Sequence, residues 1–514
     1  MNWIILTGIL IVIYLLLSQR SGKSHLTNAR TRDVPPMLPR IEPKQLMSTT
    51  RAQEPTGVSA EQTTAIHPDL PPKIRIKVPR HVEPTLDEID WNEEFDRAYN
   101  LMESSSPCVF VTGNPGTGKS TLLRSFIQKT AKRFVVLAPT GIAAINVGGQ
   151  TIHSFFRFPP RPINPDDIQP VQNAQKRKLY EALDTIVIDE VSMVRADVMD
   201  GIDQFMRKNG RDKALPFGGT QIILVGDLFQ LPPVVSDREE AKMFGHRWDS
   251  PYFFSAHIWR EIALVRAELN KNFRHTEQDF IDILGAVRVN KCDGDFIERL
   301  NRRHRPEFTP DEHDCFITLT STNALAADIN EERLNSLPSD RKEFKGRIEG
   351  NFKNQDMPTD LTLYLKEDAQ VMFVKNDKHK RWVNGTIGKV LKITGSNVDV
   401  EIAGTYRHRV ESAVWEIVKY QYDEETRRII PEVTGSFTQL PLKLAWAITI
   451  HKSQGKTLDN VIINLGSGAF AHGQLYVALS RCRTLGGIFL KSRIKPSDVI
   501  VDPRVVDFHA RWFK

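Results

Sequence analysis

The chain has 514 residues, 40% of them hydrophobic and 26% charged. That balance argues against a disordered or multiply membrane-spanning protein, and at about 150 residues per folded unit it points to roughly three domains. Its 69 Lys and Arg against 63 Asp and Glu give a formal charge of +6, compatible with a polyanionic partner but common among proteins without one, while Cys108, Cys292, Cys315 and Cys482 lack the spacing of a zinc site or disulfide framework.

Trp3 to Leu17 is a nearly unbroken apolar run, followed by Arg20, Lys23, Arg30 and Arg32. It reads as a transmembrane helix over residues 1–19, although at 1.5 Å per residue such a helix reaches only about 28 Å against about 30 Å of hydrocarbon. A cleaved signal peptide is the rival, disfavoured because no positive charge precedes the run and no A-x-A site follows it; a buried core helix ranks behind both. The basic flank predicts a single-pass anchor with the N-terminus outside and the remaining domains cytoplasmic. Residues 20–80, rich in Pro, Ser, Thr and charge without a sustained apolar period, read as a flexible linker.

The next element is CVFVTGNPGTGKST, Cys108 to Thr121: a β-branched strand, a loop of GxxxxGK[ST] form and a helix. Gly113, Asn114, Pro115, Gly116, Thr117, Gly118, Lys119, Ser120 and Thr121 form a phosphate cradle for ATP. In it backbone N–H groups and the helix N-terminus meet phosphate oxygens, Lys119 neutralises the terminal phosphates and the Ser120 hydroxyl ligates Mg²⁺. Such a cradle needs a second metal-holding carboxylate and a group to orient water. LDTIVIDE, Leu183 to Glu190, supplies both at the end of an apolar strand: Asp189 for the metal, Glu190 for the water. A third apolar strand in QIILVGDLFQLPPV ends near Gln230, whose amide can sense the γ-phosphate.

Between these strands, Thr151 to Phe156 (TIHSFF) offers a hydroxyl, an imidazole and two aromatics suited to gripping a single strand, with at least one of Phe155 and Phe156 expected in the core. Residues 157–178 form a polar, Pro-rich excursion. Farther on, CFITLTSTN, VIINLG and GGIFLKS read as strands of a second α/β unit. It is interrupted by short alternating strands such as NGTIGKVLKI and NVDVEIA, which read as a small β-barrel.

Taken in order with APTGIAAINVGGQTIHSFF, LNKNFRH, LAWAITIHKSQGKTL and GQLYVALSRCRT, these segments resemble the motifs of superfamily 1 helicases, and DEVSM, PFGGTQIILVGDLFQLPPV and ITIHKSQGKTL resemble the Pif1/RecD-like group. The resemblance covers about Cys108 to Leu490. It implies an α/β fold: a RecA-like P-loop domain at 81–265 with a 1B excursion at about 157–178, a second RecA-like domain at 266–345 and 441–514, and an SH3-like 2B insertion at 346–440. The implied function is an ATP-dependent DNA helicase moving 5′ to 3′ as a monomer on single-stranded and forked DNA, with the membrane as a further partner through residues 1–19. Arg274 and Arg481 match the arginines that the second domain brings to the phosphates. Pro139, Thr140, His153 and Phe156 would line the DNA path on the first domain, and Thr449, His451, Lys452 and Ser453 on the second. One departure stands out: Val82 to Ser106 contains no Gln to read adenine, and Asn92 is the nearest amide. A membrane-tethered, nucleic-acid-gated ATPase that grips or remodels nucleoprotein without unwinding uses the same motifs and is the rival function.

Overall fold

The computed structural model describes residues 91–512, apart from 105–107, 236–237, 311–315 and 403–405. Its first layer is a six-stranded sheet of β1 (Cys108–Gly113), β2 (Phe134–Ala138), β3 (Gln150–Thr151), β4 (Thr185–Ile188), β5 (Gln221–Gly226) and β6 (Val265–Leu269), in the order β3-β2-β4-β5-β1-β6. Every pair is parallel. All residues of β1, β4 and β5 are buried. Successive side chains of a strand point to opposite faces, and here they enter two separate cores. Phe110, Ile186, Ile188, Ile222 and Leu224 go one way, and Val109, Val111, Val187, Ile223 and Val225 the other. A strand covered on both faces has no polar side, which is why these segments read as unbroken apolar runs. Helices α1 (Glu93–Glu103) and α2 (Lys119–Lys129) cover the second face through Phe95, Ala98, Met102, Leu122, Leu123 and Phe126. Because β6 pairs with β1, this sheet continues to Leu269, past the expected boundary at 265.

The second parallel sheet runs Ala447–Thr449, Ile317–Thr320, Val461–Asn464, Ile488–Leu490. Between its first two strands in the chain lie antiparallel sheets, from Lys342–Lys345 to Leu442–Leu444, so the β-rich insertion extends slightly beyond 346–440 at both ends. A five-stranded sheet encloses Val371, Phe373, Trp382, Val390, Val400 and Leu442. A long hairpin, Ala413–Asp423 with Arg428–Gln439, reaches back to the first domain. There the Tyr420 hydroxyl accepts from Val136 N at 3.2 Å, Tyr420 N donates to Gln150 Oε1 at 3.4 Å, and Glu424 pairs with Lys178 at 2.7 Å. The 157–178 excursion is pinned by Phe158, Ile163 and Ile168, all buried. The last helix, Pro503–Trp512, also returns to the first domain: Phe508 stacks on Phe254 with ring centroids 4.4 Å apart, and Arg504 Nη1 donates to Asp249 O at 3.3 Å. Residues 441–514 therefore do not all pack with the second sheet.

The expectation of a membrane-spanning helix is corrected. Residues 1–19 and the linker at 20–80 lie outside the described residues, and among the described ones no helix is long and apolar enough to cross a membrane. The inference rested on an apolar run whose reach falls short of the hydrocarbon thickness, a statement about composition with no packing behind it. The single-pass topology, the membrane partner and the cytoplasmic placement derived from that run are withdrawn with it.

The first domain's loops are held by carboxylates spaced three residues apart on the helix Ala196–Asn209. Asp197 Oδ2 accepts from Ile163 N at 2.8 Å. Asp200 accepts from Trp248 Nε1 at 2.6 Å and from His257 N and Ile258 N, each at 3.0 Å. Asp203 accepts from Phe217 N at 2.6 Å and is paired with Arg207. A buried acceptor that satisfies several donors is costly to delete, because each stranded donor keeps its desolvation penalty. Asp200→Ala is therefore expected to destabilise the first domain by about 3 kcal/mol or more, read as a lower denaturant midpoint followed through Trp248 fluorescence; an unchanged midpoint would show these bonds to be dispensable.

Candidate active site and nucleic-acid track

The carboxyl ends of β1, β4 and β5 adjoin in the sheet, where ligands sit in open α/β folds. After β1 the loop turns through Gly116 at φ 87° and Gly118 at φ 85°. Both positions require glycine: a Cβ on Gly116 would lie 2.5 Å from Arg274 Cβ, and one on Gly118 2.5 Å from Phe95 Cζ. The loop closes on its own lysine, with Lys119 Nζ donating to Gly113 O at 2.6 Å and to Asn114 O at 3.0 Å, while Thr117 Oγ1 donates to Asn114 O at 2.8 Å. After β4, Asp189 Oδ1 accepts from Glu190 N at 2.9 Å, and Glu190 occupies the left-handed region at φ 50°, a conformation that costs a non-glycine residue about 1 kcal/mol or more. Burial raises both carboxyls above their usual range, and Asp189 adds to the effect on Glu190. After β5, the Asp227 carboxylate is 1% exposed and accepts from Gln230 Nε2 and from the Tyr476 hydroxyl, each at 3.3 Å, with Arg288 at 3.7 Å.

The second domain closes the other side. Arg274 Nη1 donates to Ser480 O at 3.1 Å, and Phe273 N donates to Gly116 O at 2.8 Å. Arg481, 1% exposed, donates to Val477 O at 3.0 Å, to Lys456 O at 3.3 Å and to Ser480 Oγ at 2.8 Å. Burial lowers the pKa of Lys119, Arg274 and Arg481, and Arg481 and Arg483 lower that of Arg274 further by like-charge repulsion. Lys119, Ser120, Asp189, Glu190, Gln230, Arg274 and Arg481 all line one cavity of about 500 Å³. Ser120 and Asp189 bring one hydroxyl and one carboxylate, hard oxygen donors that suit Mg²⁺ when phosphate and water complete the shell. Among the described residues no cluster of three or more His, Cys, Asp or Glu is placed to hold a metal by itself.

The expected DNA residues divide by exposure. Thr140, His451 and Lys452 are exposed, and Pro139, Thr151 and His153 are half-buried. Phe156 is 2% exposed, stacked on Phe158 at 5.3 Å and edge-on to Phe155 at 4.9 Å, so its assignment to the DNA path is corrected: it belongs to the core, like Phe155. Thr449 and Ser453 are also buried: the Thr449 hydroxyl caps the short helix Ile450–Ser453 by accepting from Lys452 N, and the Ser453 hydroxyl donates to Ile450 O within it, so neither is a surface contact.

Sequence reasoning missed several residues at the site. Gln454 Nε2 bridges Glu190 Oε2 at 2.9 Å and Gln230 Oε1 at 3.2 Å from across the cleft. Its position directly after the HKS of the second domain's strand end was the available signal. Phe95, Phe273 and Arg483 also line the cavity. Tyr476 and Arg288, which fix Asp227, carried no signal because nothing in the sequence pairs such distant positions.

Phosphate chemistry placed between two parallel sheets, with acids on one and arginines on the other, defines a P-loop nucleoside triphosphatase whose site is shared by two domains. Residues 91–295 match the PIF1-like helicase family model. The chain is 32% identical over 433 residues to the ATP-dependent DNA helicase Pif1 of Bdellovibrio bacteriovorus, covering 83% of this chain and 93% of that protein. It superposes on unliganded Pif1 from Bacteroides sp with a TM-score of 0.76 at 36% identity, covering 83% of this chain and 98% of that one. On Bacteroides Pif1 bound to ssDNA the TM-score is 0.61 at the same identity, covering 83% and 97%. The chain belongs to the PIF1-like helicase family.

Among the residues lining the cavity, Gln230 is the one side-chain amide, and it is bonded to Asp227, whereas Phe95, buried, and Phe273, exposed, bring aromatic rings. Stacking reads the face of a base and not its edge. Phe273→Ala should raise KM for ATP and GTP alike by about tenfold with kcat little changed, in steady-state assays with each nucleotide; a loss confined to ATP would show that the base edge is read elsewhere.

Proposed function

We propose that in this ATP-dependent DNA helicase Lys119, Glu190, Gln230, Arg274 and Arg481 carry hydrolysis, residues Gly113 to Thr121 cradle ATP, and Ser120 with Asp189 holds Mg²⁺. The observation that carries this reading is the meeting of Asp189 and Glu190 from one domain with Arg274 and Arg481 from the other on a single cavity. Lys119 exchanges its loop carbonyls for the β and γ phosphates. Glu190 accepts the proton of the water that attacks the γ-phosphorus, Gln230 donates an N–H to a γ-phosphate oxygen, and the two arginines meet the charge that develops on the transferring phosphoryl group. Mg²⁺ held by Ser120 and Asp189 would supply charge neutralisation for the phosphates.

The nucleic-acid track runs over Pro139, Thr140, Thr151 and His153 on the first domain and His451 and Lys452 on the second. Cations and polar groups beside the backbone of a single strand favour grip without sequence readout. Its partners are single-stranded and forked DNA, as for the Bacteroides relative bound to ssDNA. Translocation runs 5′ to 3′, as the resemblance implies, with the first sheet and the insertion-bearing second sheet as its two moving domains.

Lys119→Ala should abolish hydrolysis, because it removes the ammonium that meets the β and γ phosphates. Glu190→Gln should retain ATP binding within a few-fold while turnover falls by about 10³, the range for losing one aligned catalytic group; loss of nucleotide affinity in its place would exchange the roles of Asp189 and Glu190. Arg481→Ala should lower kcat far more than it raises KM, with a reduced melting temperature, since the guanidinium also satisfies four groups of its own domain. The function itself is tested by strand displacement on forks with only a 5′ or only a 3′ tail. Displacement from the 5′ tail is expected, displacement from the 3′ tail alone would reverse the polarity, and DNA-stimulated hydrolysis without displacement from either would favour the gripping ATPase.

A further inference from the structure

Gln454 follows the helix Ile450–Ser453, whose exposed His451 and Lys452 face the track, while its own side chain enters the cleft. A primary amide has two N–H donors, and both are committed, one to Glu190 Oε2 at 2.9 Å and one to Gln230 Oε1 at 3.2 Å. For Gln230 this has a definite consequence. With its carbonyl held by Gln454, its amide nitrogen is turned to Asp227 Oδ2 at 3.3 Å. A phosphate oxygen only accepts, so a sensing Gln230 must offer it an N–H; the orientation fixed by Gln454 commits one of its two donors to Asp227 and fixes the direction in which the other points. Glu190 likewise has one carboxylate oxygen held by an amide from the opposite domain.

The link from Gln454 to the track is short and tightly bonded. Gln454 N donates to His451 O at 3.2 Å, Ser453 Oγ to Ile450 O at 2.7 Å and Lys452 N to Thr449 Oγ1 at 3.3 Å. Arg481 Nη1 binds Ser453 O at 3.5 Å and Lys456 O at 3.3 Å on either side of Gln454. The turn that carries His451 and Lys452 thus moves as one piece with Gln454. Hydrogen bonds near 3 Å are lost with a displacement of about 1 Å, so a small shift of this turn decides whether the bridge exists.

Resting on the assignment of Glu190 and Gln230 proposed above, we infer that Gln454 is a positioning residue that idles both until a strand bound on the His451–Lys452 turn draws it away, so that hydrolysis waits for DNA. The bridge acts on turnover and not on nucleotide affinity, since Gln454 is not among the groups that cradle the phosphates.

The test uses the full chain with Gln454→Met, which keeps the side-chain volume without donors, and with Gln454→Ala as a second variant should methionine pack poorly. Steady-state hydrolysis is measured with and without saturating single-stranded DNA. DNA-free kcat should rise by about tenfold, the rate equivalent of one charge-assisted hydrogen bond, while KM for ATP and DNA-saturated kcat stay within about twofold, so the activation factor collapses. General damage to the site does not raise a rate. An unchanged activation factor, or a parallel fall of both rates, would overturn the inference and leave Gln454 a scaffold for Glu190. Glu190→Gln in the same assay separates the layers: turnover surviving in that variant removes the hydrolytic role of Glu190 and the brake with it, whereas its loss beside an unaltered Gln454→Met defeats the brake alone.

Discussion

Lys119, Arg274 and Arg481 stand together in one cleft, Arg481 buried and the other two half-buried, and burial lowers the pKa of each. Against them the same cavity sets two carboxyls, Asp189 and Glu190, whose own charge burial disfavours. Desolvated charge without full compensation is among the most expensive things a fold can hold. The chain lessens the cost with backbone carbonyls: Gly113 and Asn114 for the lysine, Ser480 for Arg274, Val477 and Lys456 for Arg481. Carbonyl dipoles can be exchanged for full negative charges, so a triphosphate in this space completes an arrangement that is otherwise short of anions.

The rest of the fold serves to keep those charges in register. Parallel strands buried on both faces deliver three loops to one sheet end, and the carboxylates of the helix Ala196–Asn209 fix the segments around Ile163, Phe217 and His257 by accepting from their backbone N–H groups. On the far side, Asp227 is held by Tyr476 and Arg288, so the loop that carries Gln230 is gripped from the second domain. Domain closure and catalytic geometry thus depend on the same few contacts.

The parts legible in the sequence were those in which a strand end and a chemically unusual residue coincide: Lys119 after β1, Asp189 and Glu190 after β4, Gln230 after β5. Local pattern does not say which polar atoms are already occupied. Thr449 and Ser453 look like surface hydroxyls yet are spent on the backbone of their own short helix, and Phe156 looks like a stacking platform yet fills the core, because an aromatic side chain suits both roles. Asp197, Asp200 and Asp203 carry no signal in the sequence, since the N–H groups that claim them lie 14 to 58 residues away. Gln454 was passed over for a related reason: its partners come from the other domain, and no spacing records a contact across a cleft. The N-terminal apolar run was over-read on composition alone.

The return of the final helix to the first domain has a mechanical implication. The chain crosses to the second domain after Leu269 and crosses back near Asp502, where Arg504 and Phe508 engage Asp249 and Phe254. Two bodies joined by one strand can swing in any direction, whereas two bodies joined at separated points share an axle. The double crossing, with the hairpin strand Ala413–Asp423 as a further contact, limits the relative motion of the two sheets as a bearing does. A motor that must convert a chemical cycle into steps of constant size gains direction from such a bearing before any nucleic acid is bound.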